Sequence, residues 1–337
     1  MSRKVKEEIE GVTLMTPSPS QSPALPINSL VGQSSAMQKV LESIKLYAQT
    51  DDNILITGET GTGKRLVAQC IHNLSRRCAK PFVAIACPAV AESVFEAELL
   101  GYEKGAFTDA KESKAGHLET ADGGVAFLDE IGEISPRIQS KLLDVTEEKA
   151  FYRVGGRRRI SVDVRFISAT NINLEAAVQA GRFRSDLYYR LNSYHIHLPP
   201  LRERDGDIAL LAHHFLEQFN TRYQKQIKEI DPLAIAFLEQ QQWPGNVREL
   251  GNLILRAATV ASSDRIMIDD LYLALEGDRP QQNSKLDRGL SLRENELSLI
   301  KRALQLANGN KAEAARMLGI DRATLYRKIK SLGIKNS

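Results

Sequence analysis

The chain has 337 residues, more than one hydrophobic core usually serves, so two or three compact units are expected. With 42% apolar and 26% charged residues it reads as soluble and globular. No segment approaches the roughly 18 apolar residues of a membrane span, and the amino terminus lacks the apolar stretch of a signal peptide, so a cytoplasmic location is expected. Net charge is +3, but residues 291–337 alone carry ten Lys/Arg against four Asp/Glu, which makes the carboxyl end the place to look for nucleic acid. Cys70, Cys78 and Cys87 are odd in number and lack metal-ligand spacing, so neither a disulfide framework nor a zinc site is expected.

In chain order, residues 1–26 are polar and broken by prolines, and read as a flexible tail. Residues 27–200 hold short β-branched or aromatic runs at Asn53–Thr57, Phe82–Ala86, Val125–Leu128, Val164–Ser168 and His195–Leu198, most of them separated by helical patterns. That alternation predicts an α/β core with a mainly parallel sheet and helices on both faces. After Pro199 and Pro200 the strand signals stop, and residues 201–276 read as a lid of helices only. Residues 277–290 are a polar linker. In 291–337, Leu297, Ile300, Leu304 and Ala307 have helical spacing, Asn308-Gly309-Asn310 interrupts it, and Asn310 with Glu313 forms a capping box opening a second helix. Gly319 turns the chain, Asp321 caps a third helix and Gly333 ends it, which is the helix-turn-helix pattern. That third helix offers Arg322, Thr324, Arg327, Lys328 and Lys330 to base edges and phosphates, while Leu325, Ile329 and Leu332 face the core. A protein-binding helical hairpin is the alternative for this end.

The chemistry lies in the core. Gly58-Glu59-Thr60-Gly61-Thr62-Gly63-Lys64 follows a strand and precedes a helix expected over Leu66–Leu74. Its glycines let backbone N–H groups close around phosphates, and Lys64 reaches the outer phosphates of a nucleotide such as ATP. Arg65 stands where the general motif puts a Ser or Thr ligand for Mg²⁺. Asp129 and Glu130 end the strand after Gly123-Gly124; beside the phosphate loop they would serve as the Mg²⁺ anchor and the general base. The alternative is two strand-end acids capping the next helix.

Arg248 falls in Trp243-Pro244-Gly245-Asn246-Val247-Arg248-Glu249, where Pro-Gly turns the chain and Asn246 with Glu249 suggests a capping box. A cation in the first turn of a helix is disfavoured by the dipole, which suggests a neighbouring anion, with an ordinary surface arginine as the alternative. Arg184 and Arg190 lie in a stretch dense in arginine and aromatics; they suit either a neighbour's γ-phosphate or a salt-bridged helix.

Taken together, the stretches GETGTGK, GYEKGAFTDA, GGVAFLDEIGEIS, RVGGRRRISVDVRFISATN, GRFRSDLYYRLN, LPPLRERDGDI, WPGNVRELGN and NKAEAARMLGIDRATLYRKIKSLGI resemble, in order, the sigma-54-dependent transcription activators. The resemblance runs from about Asn28 to Lys335. It implies an AAA+ ATPase core with a helical lid and a Fis-type helix-turn-helix, working as a homo-oligomer, from dimer to hexamer, with ATP between subunits. It further implies that Gly58 to Arg65, Val31, Asn171 as first sensor and Arg248 as second sensor bind nucleotide. Arg184 and Arg190 would be arginine fingers. Gly105, Ala106, Phe107, Thr108, Asp109 and Ala110 would form the loop that touches sigma-54, and the partners would be upstream DNA and sigma-54 RNA polymerase.

The chain departs from the family at three places. The contact loop normally reads GAFTGA, and Asp109 replaces a glycine, adding charge and removing φ freedom. Ala86 stands where an asparagine usually restrains the catalytic glutamate. Leu143-Asp144-Val145-Thr146-Glu147 replaces the usual Arg-Val-Leu-Gln. These keep open a rival reading, an AAA+ DNA-binding regulator that no longer works through sigma-54. Many relatives carry a sensory domain ahead of the motor, so the 26-residue tail leads to the expectation that control comes from a separate partner protein or from expression level.

Overall fold

The computed structural model describes residues 30–87, 91–108 and 110–276, together with Lys311 and Leu325. The tail, the linker, Asp109 and the helix-turn-helix with Arg322, Thr324, Arg327, Lys328 and Lys330 lie outside the described residues. Lys311 is helical, and Leu325 is helical and wholly buried, as its expected place on a core face requires.

The core runs α1 (Ser35–Ala48), β1 (Ile54–Thr57), α2 (Lys64–Leu74), β2 (Phe82–Ala86), α3 (Glu92–Leu100), β3 (Gly101–Tyr102), β4 (Lys114–Ala115), α4 (His117–Thr120), β5 (Val125–Asp129), α5 (Pro136–Glu148), β6 (Ala150–Tyr152), β7 (Arg159–Ser161), β8 (Arg165–Thr170), α6 (Leu174–Gln179), α7 (Ser185–Leu191) and β9 (Tyr194–His197). Five of these strands form one sheet in the order β2-β5-β8-β1-β9, parallel throughout.

Successive side chains of a strand point to opposite faces, and the sequence uses both. Ile54, Ile56, Val125, Phe127, Ile167 and Ala169 bury against α1 and α2. Leu55, Ala126, Leu128 and Phe166 bury against the layer containing α3, α5 and α7. Strands apolar on both faces are what a parallel sheet between helical layers needs. Side-chain caps start several helices: Ser34 accepts from Met37 N–H, Ser135 from Ile138 N–H, and Asn173 from Ala176 N–H. Each such cap contributes about 1 kcal/mol. Arg165, 1% exposed, closes the other end of α1 by donating to the carbonyls of Tyr47, Ala48 and Asp52.

The lid comprises α8 (Asp207–Tyr223), β10 (Glu229–Ile230), α9 (Pro232–Glu239), α10 (Asn246–Val260), β11 (Arg265–Ile266) and α11 (Ile268–Glu276). Its own apolar cluster centres on Leu211, Leu216, Trp243, Leu250, Leu253 and Ile254. The expectation of helices only is corrected here: β10 and β11 pair over two residues each, in parallel. Such a bridge is too short to show the alternation by which a strand is read from sequence. Two antiparallel hairpins were equally invisible, β3 with β4 and β6 with β7, for the same reason. Helix α2 begins at Lys64, two residues earlier than expected, because Gly63 at φ 104° serves as its cap.

Candidate nucleotide site

The carboxyl ends of β1, β5 and β8 lie side by side, where α/β sheets bind ligands. From β1 the chain enters the phosphate loop; from β5 it delivers Asp129 and Glu130; from β8 it delivers Asn171. A cavity of roughly 480 Å³ opens there, lined by Thr60, Gly61, Gly63, Lys64, Arg65, Asp129, Glu130 and Arg248. Its far wall is Phe215, Phe219, Tyr223 and Leu255 of α8 and α10, aromatic and apolar groups no motif announced.

Lys64 is 6% exposed, and its Nζ donates to the carbonyl of Gly58 at 2.9 Å and lies 3.4 Å from Glu130 Oε1. Glu130 sits in the left-handed region at φ 56°, uncommon for a residue with a side chain and frequent at functional sites. Its Oε2 accepts the Asn171 N–H at 3.0 Å, while the Asn171 amide donates to Thr60 Oγ at 3.1 Å. Burial, and then the charge of Glu130, pushes the Asp129 carboxyl above its ordinary value, with Lys64 and Arg65 opposing. An anion held at raised free energy is suited to meet a cation.

Ala86 ends β2 in register with Asp129 and is exposed; its methyl offers Glu130 no hydrogen bond. The Asn171 N–H and Lys64 hold Glu130 instead. Cys87, one residue on, is buried and donates its N–H to the Asp129 carbonyl, fixing the strand end from which both acids project.

Val31 does not line the cavity; it packs against the lid cluster. Arg248 does line it, in the first turn of α10, with its N–H 3.3 Å from the Gly61 carbonyl. The capping box expected from Asn246 and Glu249 is corrected. Glu249 reaches back to the N–H of Gly245, at 2.8 Å, and Gly245 is the cap. Asn246 turns its side chain away from its own helix, toward the phosphate loop.

Arg184 and Arg190 are not in the cavity. Arg184 is exposed, paired with Asp186 at 2.7 Å and bonded to Ser140 Oγ. Arg190 donates twice to the Thr146 carbonyl near the end of α5. The stretch from Glu103 to Ser113 joins β3 to β4 and carries the candidate contact loop at its tip. Gly105, at φ 84°, donates to the Ala110 carbonyl, Ala110 is buried, and the Phe107 ring is 44% exposed against Tyr102 at 4.9 Å.

Sequence reasoning missed the charged residues between core and lid. Arg202 forms a two-pronged pair with Glu59, which holds that carboxyl well down, to about 2. Arg204, 4% exposed, donates to the carbonyls of Thr62 and Pro199. Asp207, fully buried, accepts from Gln33 N–H, Ser34 N–H and Ser34 Oγ–H. The signal was available: five charges in the six residues Arg202 to Asp207, one residue after Pro199-Pro200, are too many for a helix start with an apolar face, which points to partners outside the helix.

Three family models match the chain: the sigma-54 interaction domain over residues 30–197, the AAA+ ATPase lid domain over 202–288, and the bacterial regulatory protein Fis family over 291–332. The transcriptional regulatory protein ZraR of Escherichia coli strain K12 is 47% identical over 300 residues, covering 89% of this chain and 68% of ZraR. A Nif-specific regulatory protein of Sinorhizobium fredii is 49% identical over 273 residues, covering 80% of this chain and 46% of that protein. Among solved structures, NtrX from Brucella abortus in complex with ADP superposes with a TM-score of 0.68 at 34% identity, covering 98% of this chain and 72% of that one. A phosphate loop closed by a lid, in a chain matched by these models between residues 30 and 332, leaves one assignment: the chain belongs to the sigma-54-dependent transcriptional activators, whose AAA+ domain is an ATPase.

Proposed function

We propose that the chain binds DNA upstream of its promoters through residues 291–337 and uses ATP hydrolysis in 27–276 to remodel a sigma-54 polymerase complex from closed to open. The observation that carries this reading is the meeting of Lys64, the neighbouring pair Asp129 and Glu130, and Arg248, from three separate segments, around one cavity. Lys64 and Arg248 bind the outer phosphates, and the N–H groups from Gly58 to Arg65 cradle the rest. Glu130 takes a proton from water as its oxygen attacks the γ-phosphorus; the bond to the β–γ bridging oxygen breaks and ADP leaves with the electron pair. Asp129, a half-buried carboxylate beside the phosphate loop that burial and Glu130 raise in energy, would hold Mg²⁺. That ion would neutralise charge building on the phosphate oxygens.

Lys64, Arg65, Arg222 and Arg248 line the cavity from its own chain, and the remaining transition-state charge calls for further cations on the side they leave open. Arg184 and Arg190 supply them from a neighbouring copy in a ring, which is why they sit outside their own cavity. The loop from Gly105 to Ala110, with exposed Phe107 and Thr108, is the sigma-54 contact. The place of action is the cytoplasm, where promoter DNA and polymerase are.

Capture of sigma-54 by the protein bearing an ATP transition-state analogue tests the whole. The expected result is analogue-dependent capture that Lys64→Ala abolishes. Absence of capture by the intact protein, with DNA binding retained, would establish the regulator detached from sigma-54 instead.

A further inference from the structure

Asn246 is completely buried, carries a backbone φ of 52°, and has every polar atom of its side chain engaged outside its own helix. Its Oδ1 accepts the N–H of Leu201, at 2.7 Å, where the chain passes from core to lid. Its Nδ2 donates to Glu59 Oε2 at 3.0 Å and to the Thr60 carbonyl at 3.0 Å, both in the phosphate loop. One carboxamide therefore joins three segments, and two residues later the same helix presents Arg248 to the cavity.

The residue type follows from these demands. The left-handed backbone excludes most side chains but accepts Asn and Gly. The three partners require one acceptor and two donors at short reach, which aspartate lacks, glutamine overreaches and glycine omits. Around it the backbones are in contact: a Cβ on Gly61 would lie 2.1 Å from the Gly245 carbonyl oxygen, and the Arg248 N–H reaches the Gly61 carbonyl at 3.3 Å. Glu59, although within the phosphate-loop motif, spends its carboxylate on Asn246 and Arg202.

We propose that Asn246 is a positioning residue that fixes Arg248 against the phosphate loop, so that loop, hinge and the start of α10 bind nucleotide as one rigid unit. The proposal rests on the reading that this cavity is the nucleotide site.

The test is titration of the full chain with a fluorescent ATP analogue, with melting temperature recorded alongside. Asn246→Asp keeps the acceptor for Leu201 but sets a carboxylate against Glu59, and should weaken binding about tenfold; Arg248→Ala should weaken it at least as much. Because Asn246 acts through Arg248, adding Asn246→Asp to Arg248→Ala should cost little more than Arg248→Ala alone. Glu59→Gln, which returns a donor to the contact, should recover part of the affinity of Asn246→Asp. Asn246→Gly, which fits the backbone without strain, gives the same reading if Asn246→Asp fails to fold. Normal affinity in both Asn246 variants, or fully additive losses in the double variant, would overturn the proposal, even with a lowered melting temperature. Lys64→Ala separates the two readings: its loss of binding beside normal Asn246 variants overturns only the role of Asn246, and its full retention of binding overturns the nucleotide site and that role together.

Discussion

The seam between phosphate loop and lid is held differently from the pair of hairpins that carries Phe107. At the seam, Asn246, Arg204 and Asp207 are buried, and most of their bonds go to backbone groups. At the hairpins a short backbone bridge, Glu103 N–H to the Val154 carbonyl and Val154 N–H to the Gly101 carbonyl, is joined by an ionic link: Arg153, in the loop between β6 and β7, pairs with Glu103 at 3.0 Å and with Glu119 at 2.7 Å, and Ser113 bonds to Glu103. Arg153 is 21% and Glu103 37% exposed in their side chains. Buried bonds to backbone admit one geometry, since breaking any of them strands a polar group. Partly exposed ion pairs exchange with water cheaply. The difference puts the more buried side-chain contacts beside the phosphate loop and the more exposed ones at the hairpins, in keeping with the proposal that the loop from Gly105 to Ala110 moves with hydrolysis.

The largest effect should come from Lys64→Ala, which removes the buried ammonium from the phosphates; a steady-state assay should show hydrolysis falling by roughly two to three orders of magnitude. Hydrolysis near the normal rate would dissolve the distinction, because the seam would then not be the catalytic part. Next is Phe107→Ala at the other region. This ring is exposed and touches Tyr102 alone among aromatic partners, so ATP turnover should stay within about twofold while activation of a sigma-54 promoter in vitro is lost. A matching fall in turnover would mean that the tip and the site cannot be separated.

Arg153→Ala sharpens the same contrast from the stability side. Arg153 holds the Glu119 carboxyl below its ordinary value, and Glu119 also bonds back to the Gly116 N–H. That contribution is fully present above the unfolded value of 4.5 and is lost as pH falls through the lower folded one. The melting temperature at pH 7 should drop by about 2–4 °C, the shift expected per ~1 kcal/mol in a domain of this size, and the difference from the unaltered protein should shrink in acid. A smaller change is expected from Ala86→Asn, which sets an amide at the end of β2 beside the acids of β5. Basal hydrolysis should fall a fewfold; a rise would show that the Asn171 N–H and Lys64 are not what restrains Glu130.

Sequence legibility divided along the same line. Most sheet strands were readable because each is an apolar run whose alternate residues enter two different cores, as Ile54, Leu55 and Ile56 do, whereas edge strand β9 buries Ile196 in one core and leaves His195 and His197 exposed. Lys64, Asp129, Glu130 and Arg248 were readable as a set because their local patterns are tied to backbone geometry: glycines at positive φ, a strand end, a helix start. Asn246 was misread as a cap because its local spacing to Glu249 satisfies the capping rule, while its true partners, Glu59 and Leu201, are 187 and 45 residues away. Val31 was assigned to the nucleotide through family resemblance alone; it packs against the lid cluster, a contact that no local pattern signals. The hairpins left no trace because strands of two or three residues have no periodicity to read.

The smallest expected shift in stability lies beside the seam, at the end of β5. Burial and Glu130 raise the Asp129 carboxyl above 3.8, so the native state binds the proton more tightly than the unfolded chain does. Stability contributed by this group is therefore lost as pH rises from 3.8 through the raised value, and at neutral pH the ionised carboxylate is a cost to the free protein. Asp129→Asn removes that cost, so in the absence of nucleotide and Mg²⁺ its melting temperature at pH 7 should exceed that of the unaltered protein by about 1–3 °C. Hydrolysis should be lost in the same variant. With ATP analogue and Mg²⁺ added the order should reverse, because only the aspartate gains a cation partner. A variant less stable than the unaltered protein under both conditions would show that Asp129 serves the sheet rather than the ion, and would move the boundary between framework and chemistry one residue past the end of β5, to Glu130.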